Sequence, residues 1–478
     1  MGWFRRRAMH ERAESLPSAH PGARRAQGRP VSSRSASLLR LSGCLALAAL
    51  VYAGAPPPDP LRTGLVLFAL IGSLWMTQAL HLSVTALLVP LLAVLTGLMD
   101  WRSALAPFAH PIIFLFLGGF ALAAALQRQG LDRVLAVAVL RLASGRRDAE
   151  VALLFALTAL LSMWISNTAT AAMMLPLALG LLREDDGPPE RAFVLLGVAY
   201  SASIGGIGTL VGSPPNAIAA AQAGIGFAEW MRIGIPLVLL LLPLMAGTLY
   251  LVLRPGLGGL APLPAGRPQA VPWTREQRIT LVVFGLTAAG WMGAAPLGRL
   301  LGITADFDSA IAVAAIVALV ACGAIGWPEV EQRTHWGVLL LFGGGLALSE
   351  LMATSGASRF MADALTGALQ DAPTPLLLLG VVAFVVFLTE LVSNTASAAL
   401  LVPILLGVAA SLGLPPPLFA AAIAVSASCA FMLPVATPPN AIVYATEQVP
   451  QAKMMRCGLA LNLVCIAAIS AVAMGVFA

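Results

Sequence analysis

Long apolar segments recur along almost the whole chain, and they limit the folds that it can adopt. About 20 apolar residues are needed for a helix to cross a hydrocarbon core of about 30 Å, and only helices or closed barrels satisfy their backbone hydrogen bonds in lipid. Because the apolar residues are continuous rather than alternating with polar ones, the segments are predicted to be helices. They lie at 61–80, 84–99, 235–253, 279–292, 310–325 and 376–389. The sequence therefore predicts an all-α polytopic membrane protein.

Composition supports this class and argues against several others. Hydrophobic residues make up 59% of the 478 residues and charged residues only 10%, whereas a soluble domain carries about 25% charged residues. The net charge of +6 comes from arginines at loop ends, so we expect no nucleic-acid partner. The five cysteines are scattered through apolar segments without metal-type spacing, and we expect neither a disulfide nor a bound cofactor.

The distribution of positive charge orients the predicted helices. About 11 spans are predicted, at 41–54, 61–80, 83–99, 107–129, 190–222 (broken), 230–253, 277–294, 306–326, 332–355, 416–448 (broken) and 451–477. Surface helices are predicted at 130–145 and 356–370, and re-entrant hairpins at 148–183 and 374–411. With the N-terminus in the cytoplasm, the only lysines or arginines outside are Arg62, Arg102, Arg232, Arg299 and Arg359, of 28 in total. This predicts a multi-pass protein of the cell membrane, in a bacterium the inner membrane, with its C-terminus outside.

Two polar segments are predicted to lie outside the spans. Residues 1–40 contain nine arginines and no long apolar run, which predicts a disordered basic tail in the cytoplasm. Because a short apolar stretch follows this tail, a signal peptide is the alternative interpretation. The Pro- and Gly-rich segment 254–276 is predicted to be a cytoplasmic linker.

The two halves of the chain share three landmarks, which indicates an internal repeat. The landmarks are Gly118 and Gly343 in Gly-Gly segments, 225 positions apart, Ser166 and Ser393 in Ser-Asn-Thr motifs, 227 apart, and Asn216 and Asn440 in Pro-Pro-Asn segments, 224 apart. The first repeat is predicted at 41–253 and the second at 277–478. Because the two hairpins are predicted to enter from opposite sides, the repeats are inverted, which is typical of secondary transporters.

The Ser-Asn-Thr motifs at 166–168 and 393–395 place polar side chains inside apolar segments. Hydroxyls and amides both donate and accept hydrogen bonds, and they are costly in lipid unless they are paired. At the tip of a hairpin, the second half-helix begins at the motif, and its N-terminus favours an anion. One such motif would more often mean hydrogen bonding between helices. Two copies in register with two helix breaks favour a binding site.

The Pro-Pro-Asn segments are predicted to break the fifth and tenth spans in mid-membrane. Pro214 and Pro438 begin these breaks, and carbonyl groups freed nearby can coordinate a small cation. Glu390 lies beside the second motif and has two interpretations, a proton relay or a structural carboxylate that forms hydrogen bonds within the hairpin. The sequence leaves this choice open.

These motifs resemble those of the divalent anion/sodium symporter family, which includes bacterial dicarboxylate transporters and animal sodium-coupled dicarboxylate, citrate and sulfate transporters. The resemblance covers about residues 40–478. It rests on the paired Ser-Asn-Thr motifs, the Gly-Gly segments, GTLVGSPPN at 208–216 and ASCAFMLPVATPPNAIV at 427–443. It implies a homodimer in the lipid membrane, in which each chain has a scaffold domain and a transport domain that moves as an elevator.

The resemblance also implies site residues, position by position. The first sodium site would comprise Ser162, Ser166, Asn167 and Gly212, and the second Thr389, Ser393, Asn394 and Ala436. The substrate would be held by Ser166, Asn167, Thr168, Ser393, Asn394 and Thr395, helped by Ser213, Pro214, Thr437 and Pro438.

The function predicted on this basis is sodium-coupled symport of a divalent anion. The chain keeps the sodium-site side chains, which favours symport over sodium-independent exchange. Both motifs end in threonine, as in dicarboxylate members of the family, which favours C4-dicarboxylates (succinate, fumarate, malate) over sulfate, and citrate stays an alternative. A membrane-embedded enzyme is the rival class, but neither motif contains His or Cys. A channel is the other rival, and the inverted repeat argues against it. Sodium is expected as a co-transported ion rather than a cofactor.

Overall fold

The computed structural model describes residues 32–140, 146–256, 273–303, 305–369, 373–411 and 413–477, and every secondary-structure element within them is a helix or helical turn. Eight of the described helices are long and apolar enough to cross a membrane. A ninth is counted if Arg275–Met292 and Ala294–Leu301, bent by 83°, form one span. The predicted all-α polytopic class is therefore confirmed. One of the eight, Asn394–Ser411, is an arm of a predicted hairpin rather than a predicted span.

The described residues of the first half form eleven α-helices in the predicted order. They are α1 (Ser32–Gly54), α2 (Asp59–Thr77), α3 (Leu82–Leu95), α4 (Trp101–Leu105), α5 (Pro111–Arg128), α6 (Leu131–Leu140), α7 (Arg147–Ser162), α8 (Asn167–Leu181), α9 (Pro188–Gly205), α10 (Pro214–Ala223) and α11 (Phe227–Leu253). Helices α7 and α8 form the first hairpin, and α9 and α10 are the two parts of the broken span.

The second half repeats this order. Its helices are α12 (Arg275–Met292), α13 (Ala294–Leu301), α14 (Phe307–Ala321), α15 (Trp327–Arg333), α16 (Trp336–Thr354), α17 (Ala357–Leu369), α18 (Thr374–Thr389), α19 (Asn394–Ser411), α20 (Pro416–Ala427), α21 (Pro438–Tyr444) and α22 (Gln451–Phe477). Here α18 and α19 form the second hairpin, and α20 and α21 are the broken span.

The first helix begins earlier than the sequence predicts. It starts at Ser32 rather than near residue 41, because residues 32–40 contain helix-forming Ala, Leu and Arg and no Pro or Gly. The tail was predicted to extend to residue 40, but its last nine residues, 32–40, belong to the first helix. Residues 1–31 of the tail and 257–272 of the predicted linker lie outside the described residues.

Helices α1–α5 and α12–α16 form one side of the molecule, which we call the scaffold body. Two equivalent helix pairs lie at its centre. In it α5 packs on α14, and α16 packs on α3. A Cβ atom added to Gly118 would lie 2.6 Å from the Cβ of Ala312, and one added to Gly344 would lie 2.6 Å from the Cβ of Ala86. The two glycines are 226 positions apart and so are the two alanines, so Gly344, rather than Gly343, is the structural equivalent of Gly118.

The other side, which we call the hairpin body, contains α7–α11 and α18–α22. The first hairpin packs on α9 and the second on α20. The broken spans cross between the repeats: α10 packs on α19, and α21 packs on α8. Each helix break therefore lies against the hairpin of the opposite repeat, and this crossing brings the four motifs together.

A buried ion pair joins the start of α7 to the loop after α8, at the end of the first hairpin opposite its tip. Arg147 at the start of α7 contacts Asp186 in the loop after α8, and their side chains are 2% and 5% exposed. Burial alone would raise the pKa of Asp186, but the hydrogen bonds from Arg147 and from the N–H of Arg183 bring it below its ordinary value. Arg191 extends the network, since its guanidinium donates to the main-chain oxygen of Asp186 and to Gln448 of the second repeat, both at 3.0 Å.

Candidate functional site

The tip of the first hairpin carries the first Ser-Asn-Thr motif. Ser166 is the N-cap of α8, and its Oγ accepts a hydrogen bond from the N–H of Ala169 at 3.3 Å. Helix α8 begins at Asn167 and α19 begins at Asn394, as the sequence predicts. The N–H groups of a first helical turn have no partner within the helix. Both hairpin tips therefore present donors and a positive dipole end, which suit an anion.

Four oxygen atoms converge behind the first tip. Ser162 Oγ lies 2.7 Å from Asn167 Oδ1 and 2.6 Å from the main-chain oxygen of Ala202. The main-chain oxygens of Ala202 and Gly212 each lie 3.2 Å from Asn167 Oδ1. Because the serine hydroxyl has a single proton, this cluster has more acceptors than donors. Either the Asn167 amide turns so that its NH₂ group faces the carbonyls, or a hard cation binds among the oxygens, which are the ligands such ions require.

Two glycines make this close approach possible. A Cβ atom on Gly206 would lie 2.4 Å from Asn167 Oδ1, and one on Gly212 would lie 2.5 Å from the main-chain oxygen of Gly206. Neither position has room for a side chain. Gly212 was predicted as a site residue and Gly206 was not, although both belong to the same glycine-rich break.

The second repeat has the same two contacts of the buried hydroxyl. Thr389 Oγ1 lies 2.7 Å from Asn394 Oδ1 and 2.9 Å from the main-chain oxygen of Ala427. Ser162 and Thr389 are both fully buried. The second site differs in its break, where alanines Ala430 and Ala436 take the glycine positions. Because Ala436 is half-buried whereas Gly212 is buried, the second site is the more open of the two.

The asparagines of the Pro-Pro-Asn segments hold the two breaks in shape. Asn216 Nδ2 donates to the main-chain oxygens of Gly206 at 2.8 Å and Thr209 at 2.7 Å. Asn440 Nδ2 does the same for Ala430 at 3.2 Å and Leu433 at 3.0 Å. Both asparagines are fully buried. From the sequence they were identified only as landmarks of the repeat, and their hydrogen bonds to the main chain of the breaks were not predicted.

Ser213, Pro214, Thr437 and Pro438 lie where the broken spans restart, at the first positions of α10 and α21. Ser213 Oγ lies 3.3 Å from Ser428 Oγ of the other repeat. Tyr200 of α9 adds a second link, because its hydroxyl donates to the main-chain oxygen of Phe431 at 2.8 Å. The two repeats are therefore joined by hydrogen bonds at the centre of the site.

Glu390 acts as a structural acceptor. Its carboxylate accepts from the main-chain N–H groups of Phe431 at 2.6 Å, Met432 at 2.9 Å and Leu433 at 3.2 Å, and from Asn462 Nδ2 at 2.8 Å. The side chain is 4% exposed. It therefore fixes the backbone that follows α20. Of the two interpretations that the sequence left open, these contacts match the structural carboxylate, but the predicted location of its partners is wrong, because they lie after α20 and on α22 rather than within the hairpin.

The motifs open to the molecular surface rather than into a closed cavity. Thr168 is exposed, and Ser166, Asn167 and the second motif are half-buried. Two cavities of about 630 and 580 Å³ lie elsewhere, and His110 lines both. None of the described residues lining them belongs to a Ser-Asn-Thr motif. The candidate site is therefore the partly exposed region around the hairpin tips.

Paired re-entrant hairpins, broken helices and two oxygen clusters define a polytopic membrane transporter rather than an enzyme. The sequence profile of a family described as citrate transporters matches residues 73–424. The chain belongs to this family and, with it, to the divalent anion/sodium symporter family that its motifs resemble.

Individual relatives agree with this assignment. The chain is 48% identical over 419 residues to an uncharacterized transporter of Haemophilus influenzae, which covers 86% of this chain and 90% of the relative. It is 34% identical over 435 residues to the sodium-dependent dicarboxylate transporter SdcS of Staphylococcus saprophyticus, covering 84% and 83%. The crystal structure of the Alcanivorax borkumensis YdaH transporter has the same fold, with a TM-score of 0.56 at 16% identity, covering 82% of this chain and 98% of that one.

Proposed function

We propose that this chain is a sodium-coupled symporter of divalent anions, with C4-dicarboxylates such as succinate as its substrates. The observation that carries the proposal is the duplicated oxygen cluster, in which Ser162 and Thr389 each lie 2.7 Å from the oxygen of a motif asparagine. Hard cations bind to oxygen ligands, and the two clusters lie directly behind the two helix N-termini.

The charges of the site support coupling between cation and anion. Neither Ser-Asn-Thr motif and neither Pro-Pro-Asn segment contains Lys or Arg. A dianion at the hairpin tips would therefore be stabilised by helix dipoles, hydroxyls and co-bound sodium. Two sodium ions would neutralise its charge. In this proposal Ser166, Asn167, Thr168 and Ser393, Asn394, Thr395 hold the carboxylates, and sodium binds first and orders the tips.

Sodium dependence of the SdcS relatives supports the choice of ion, and their dicarboxylate substrates support the choice of anion. The family description favours citrate as the second candidate. Sulfate transport and sodium-independent exchange are the remaining alternatives. The proposal also includes a homodimer, a cytoplasmic N-terminus and movement of the hairpin body against the scaffold body. The charge distribution supports the orientation, and the family resemblance supports the dimer and the movement.

The test is uptake of radiolabelled succinate by proteoliposomes that contain the purified chain. We expect uptake to require an inward sodium gradient and to be absent in potassium. Unlabelled fumarate and malate should compete strongly, and sulfate weakly. Stronger competition by citrate would make citrate the substrate. Equal uptake in sodium and potassium that depends on internal dicarboxylate would identify an exchanger and contradict symport.

A further inference from the structure

The scaffold body contacts the hairpin body through two equivalent glycines, but at non-equivalent places. Gly119 follows Gly118 on α5, and Gly345 follows Gly344 on α16, so these two are equivalent. A Cβ atom on Gly119 would lie 2.8 Å from Val211 Cγ1, in the break between α9 and α10. A Cβ atom on Gly345 would lie 3.2 Å from the Cβ of Ala399, on the second hairpin. One glycine therefore faces a helix break and the other faces a hairpin.

The repeat counterparts of the two contacted residues are exposed. Val435 is 224 positions after Val211, the separation of the two Pro-Pro-Asn asparagines, and Ala172 is 227 before Ala399, the separation of the two motifs. Val211 is 8% exposed but Val435 is 86% exposed. Ala399 is fully buried but Ala172 is exposed. In each repeat one of two possible partners is therefore packed and the other is free.

The hairpin tips also differ in exposure, with the first tip packed and the second exposed. Trp164, two residues before the first motif, stacks on Trp291 of the scaffold body with ring centroids 6.4 Å apart and planes 5° apart. Trp164 also makes an edge contact with Phe284 at 5.0 Å. Its counterpart in the second repeat is Leu391, which is 75% exposed. The tip and break of the first repeat are thus packed against the scaffold, while those of the second are open.

We infer that each scaffold glycine serves two alternating partners. In a second state of the protein, Gly119 faces Ala172 and Gly345 faces Val435, while Val211 and Ala399 are released. The inference rests on the proposed movement of the hairpin body, but not on the identity of the ion or the anion.

The physical reason is that the exchange replaces each contact with one of the same chemistry. The repeats are inverted copies, so a displacement that opens the first repeat closes the second. A valine and an alanine are packed in both states, and a valine and an alanine are exposed in both. At the two glycines, the buried apolar area and the hydrophobic stabilisation that follows it therefore change little between the states. Two packed arrangements of similar energy are what an alternating protein requires.

Glycine suits such a two-partner contact. It lets a neighbouring backbone or side chain approach closely, and it presents a surface without a side chain that fits either partner. A side chain at Gly119 would contact Val211 at less than 3 Å in the state described here. The Gly-Gly segments thus have two functions: Gly118 and Gly344 pack the scaffold helices together, and Gly119 and Gly345 contact the hairpin body.

The experiment fixes one partner of Gly119 by a disulfide and measures the accessibility of position 435 in the other repeat. The first lock pairs Gly119→Cys with Val211→Cys, and the second pairs Gly119→Cys with Ala172→Cys. Both are made in the full chain with Val435→Cys as the probe and with the exposed Cys322 replaced by Ser. Oxidation in membrane vesicles forms each disulfide when the Cβ atoms come within about 3.5–4.5 Å. A water-soluble maleimide then measures the accessibility of the cysteine at position 435.

Both locks are expected to form. The first should leave labelling at position 435 at the unlocked rate, and the second should slow it at least tenfold, with recovery after reduction. The pair Gly345→Cys and Ala399→Cys checks that a glycine replacement of this kind still folds, because these residues are in contact here. The crossed pair Gly119→Cys and Val435→Cys should stay unlinked.

Two results would overturn the inference. One is a second lock that does not form while the Gly345→Cys and Ala399→Cys pair does, and the other is equal labelling with both locks. Uptake assays separate this inference from the proposed function. If both locks form but succinate is not transported, the proposed substrate is rejected and the inference stands. If sodium drives succinate uptake but the second lock does not form, the proposed function stands and the inference is rejected.

Discussion

Replacing Thr389 with Val should weaken sodium binding while leaving the anion contacts in place. The substitution nearly conserves volume and removes one hydroxyl, whose oxygen lies 2.7 Å from Asn394 Oδ1 and 2.9 Å from the main-chain oxygen of Ala427. Thr389 is fully buried and lies one helical turn before the second motif. A bound cation would lose one hard oxygen ligand, and water cannot easily replace it.

The expected magnitude follows from the loss of one buried polar partner. Such a loss costs about 1–3 kcal/mol, and each 1.4 kcal/mol is a factor of ten in affinity. We therefore expect the sodium concentration for half-maximal uptake to rise by about 5- to 100-fold. Succinate affinity should return to near the wild-type value at saturating sodium, because linkage ties the two affinities together.

The assay is a sodium titration of succinate uptake at fixed succinate, followed by a succinate titration at high sodium. Thr389→Ser is the matched control, since it keeps the hydroxyl, and Ser162→Ala is the equivalent change in the first repeat. Unchanged sodium dependence in both Thr389→Val and Ser162→Ala would refute the placement of the cation sites. Reduced succinate affinity even at saturating sodium would instead make the altered residue an anion ligand.

Three further predictions concern the motifs and the residues that support them. Asn167→Ala and Asn394→Ala should each abolish succinate uptake while the protein elutes from size exclusion as wild type does, because each amide is placed to serve cation and anion; wild-type uptake in either variant would move the site elsewhere. Glu390→Gln should lower stability by about 2–4 kcal/mol, measured as thermal unfolding in detergent, because the N–H groups of Phe431 and Met432 lose a charged acceptor; a shifted pH profile of uptake without loss of stability would favour a proton relay. Asp186→Asn should cost about 3–5 kcal/mol by leaving Arg147 buried without its counter-ion, whereas the exposed neighbour Asp185→Asn should cost little. Because the pKa of Asp186 is lowered, this contribution is fully present above pH 3.8, the ordinary aspartate value, and is lost as the pH falls below it.

The parts of the fold that follow local rules were predictable from the sequence. Ser166 and Ser393 precede helices that begin at the next residue. Serine is a favoured N-cap residue, because its side-chain oxygen can accept a hydrogen bond from an N–H group of the first helical turn. Pro214 and Pro438 restart the broken spans at the first helical position, where proline is tolerated. These signals act within a few residues, so they can be recognised in the sequence without knowledge of the tertiary structure.

Contacts between distant residues were not predictable. Glu390 accepts from Asn462, 72 positions away, and no local pattern joins the two. The carbonyls of Ala202 and Ala427 belong to the oxygen clusters, but main-chain atoms leave no trace in residue identity. The glycine register was ambiguous, because the first repeat has two consecutive glycines and the second has three. Only the packing against Ala86 resolved it in favour of Gly344.

The difference in exposure between Val211 and Val435 has another origin. Both valines occupy the same place in their repeats, three residues before a Pro-Pro-Asn segment. Sequence reasoning would therefore assign them the same environment. The difference belongs to the conformational state, in which the break of the first repeat is packed against the scaffold body and the break of the second repeat is open.

Equilibrium binding of succinate as a function of sodium tests the central claim, that two cation sites and one anion site are coupled through the hairpin tips. Binding to the detergent-solubilised chain is measured by calorimetry at several sodium concentrations, with potassium keeping the ionic strength constant. Below saturation, we predict that the logarithm of the succinate association constant rises with the logarithm of sodium with a slope of about two, one for each cation site. Equal succinate affinity in sodium and in potassium would contradict the account.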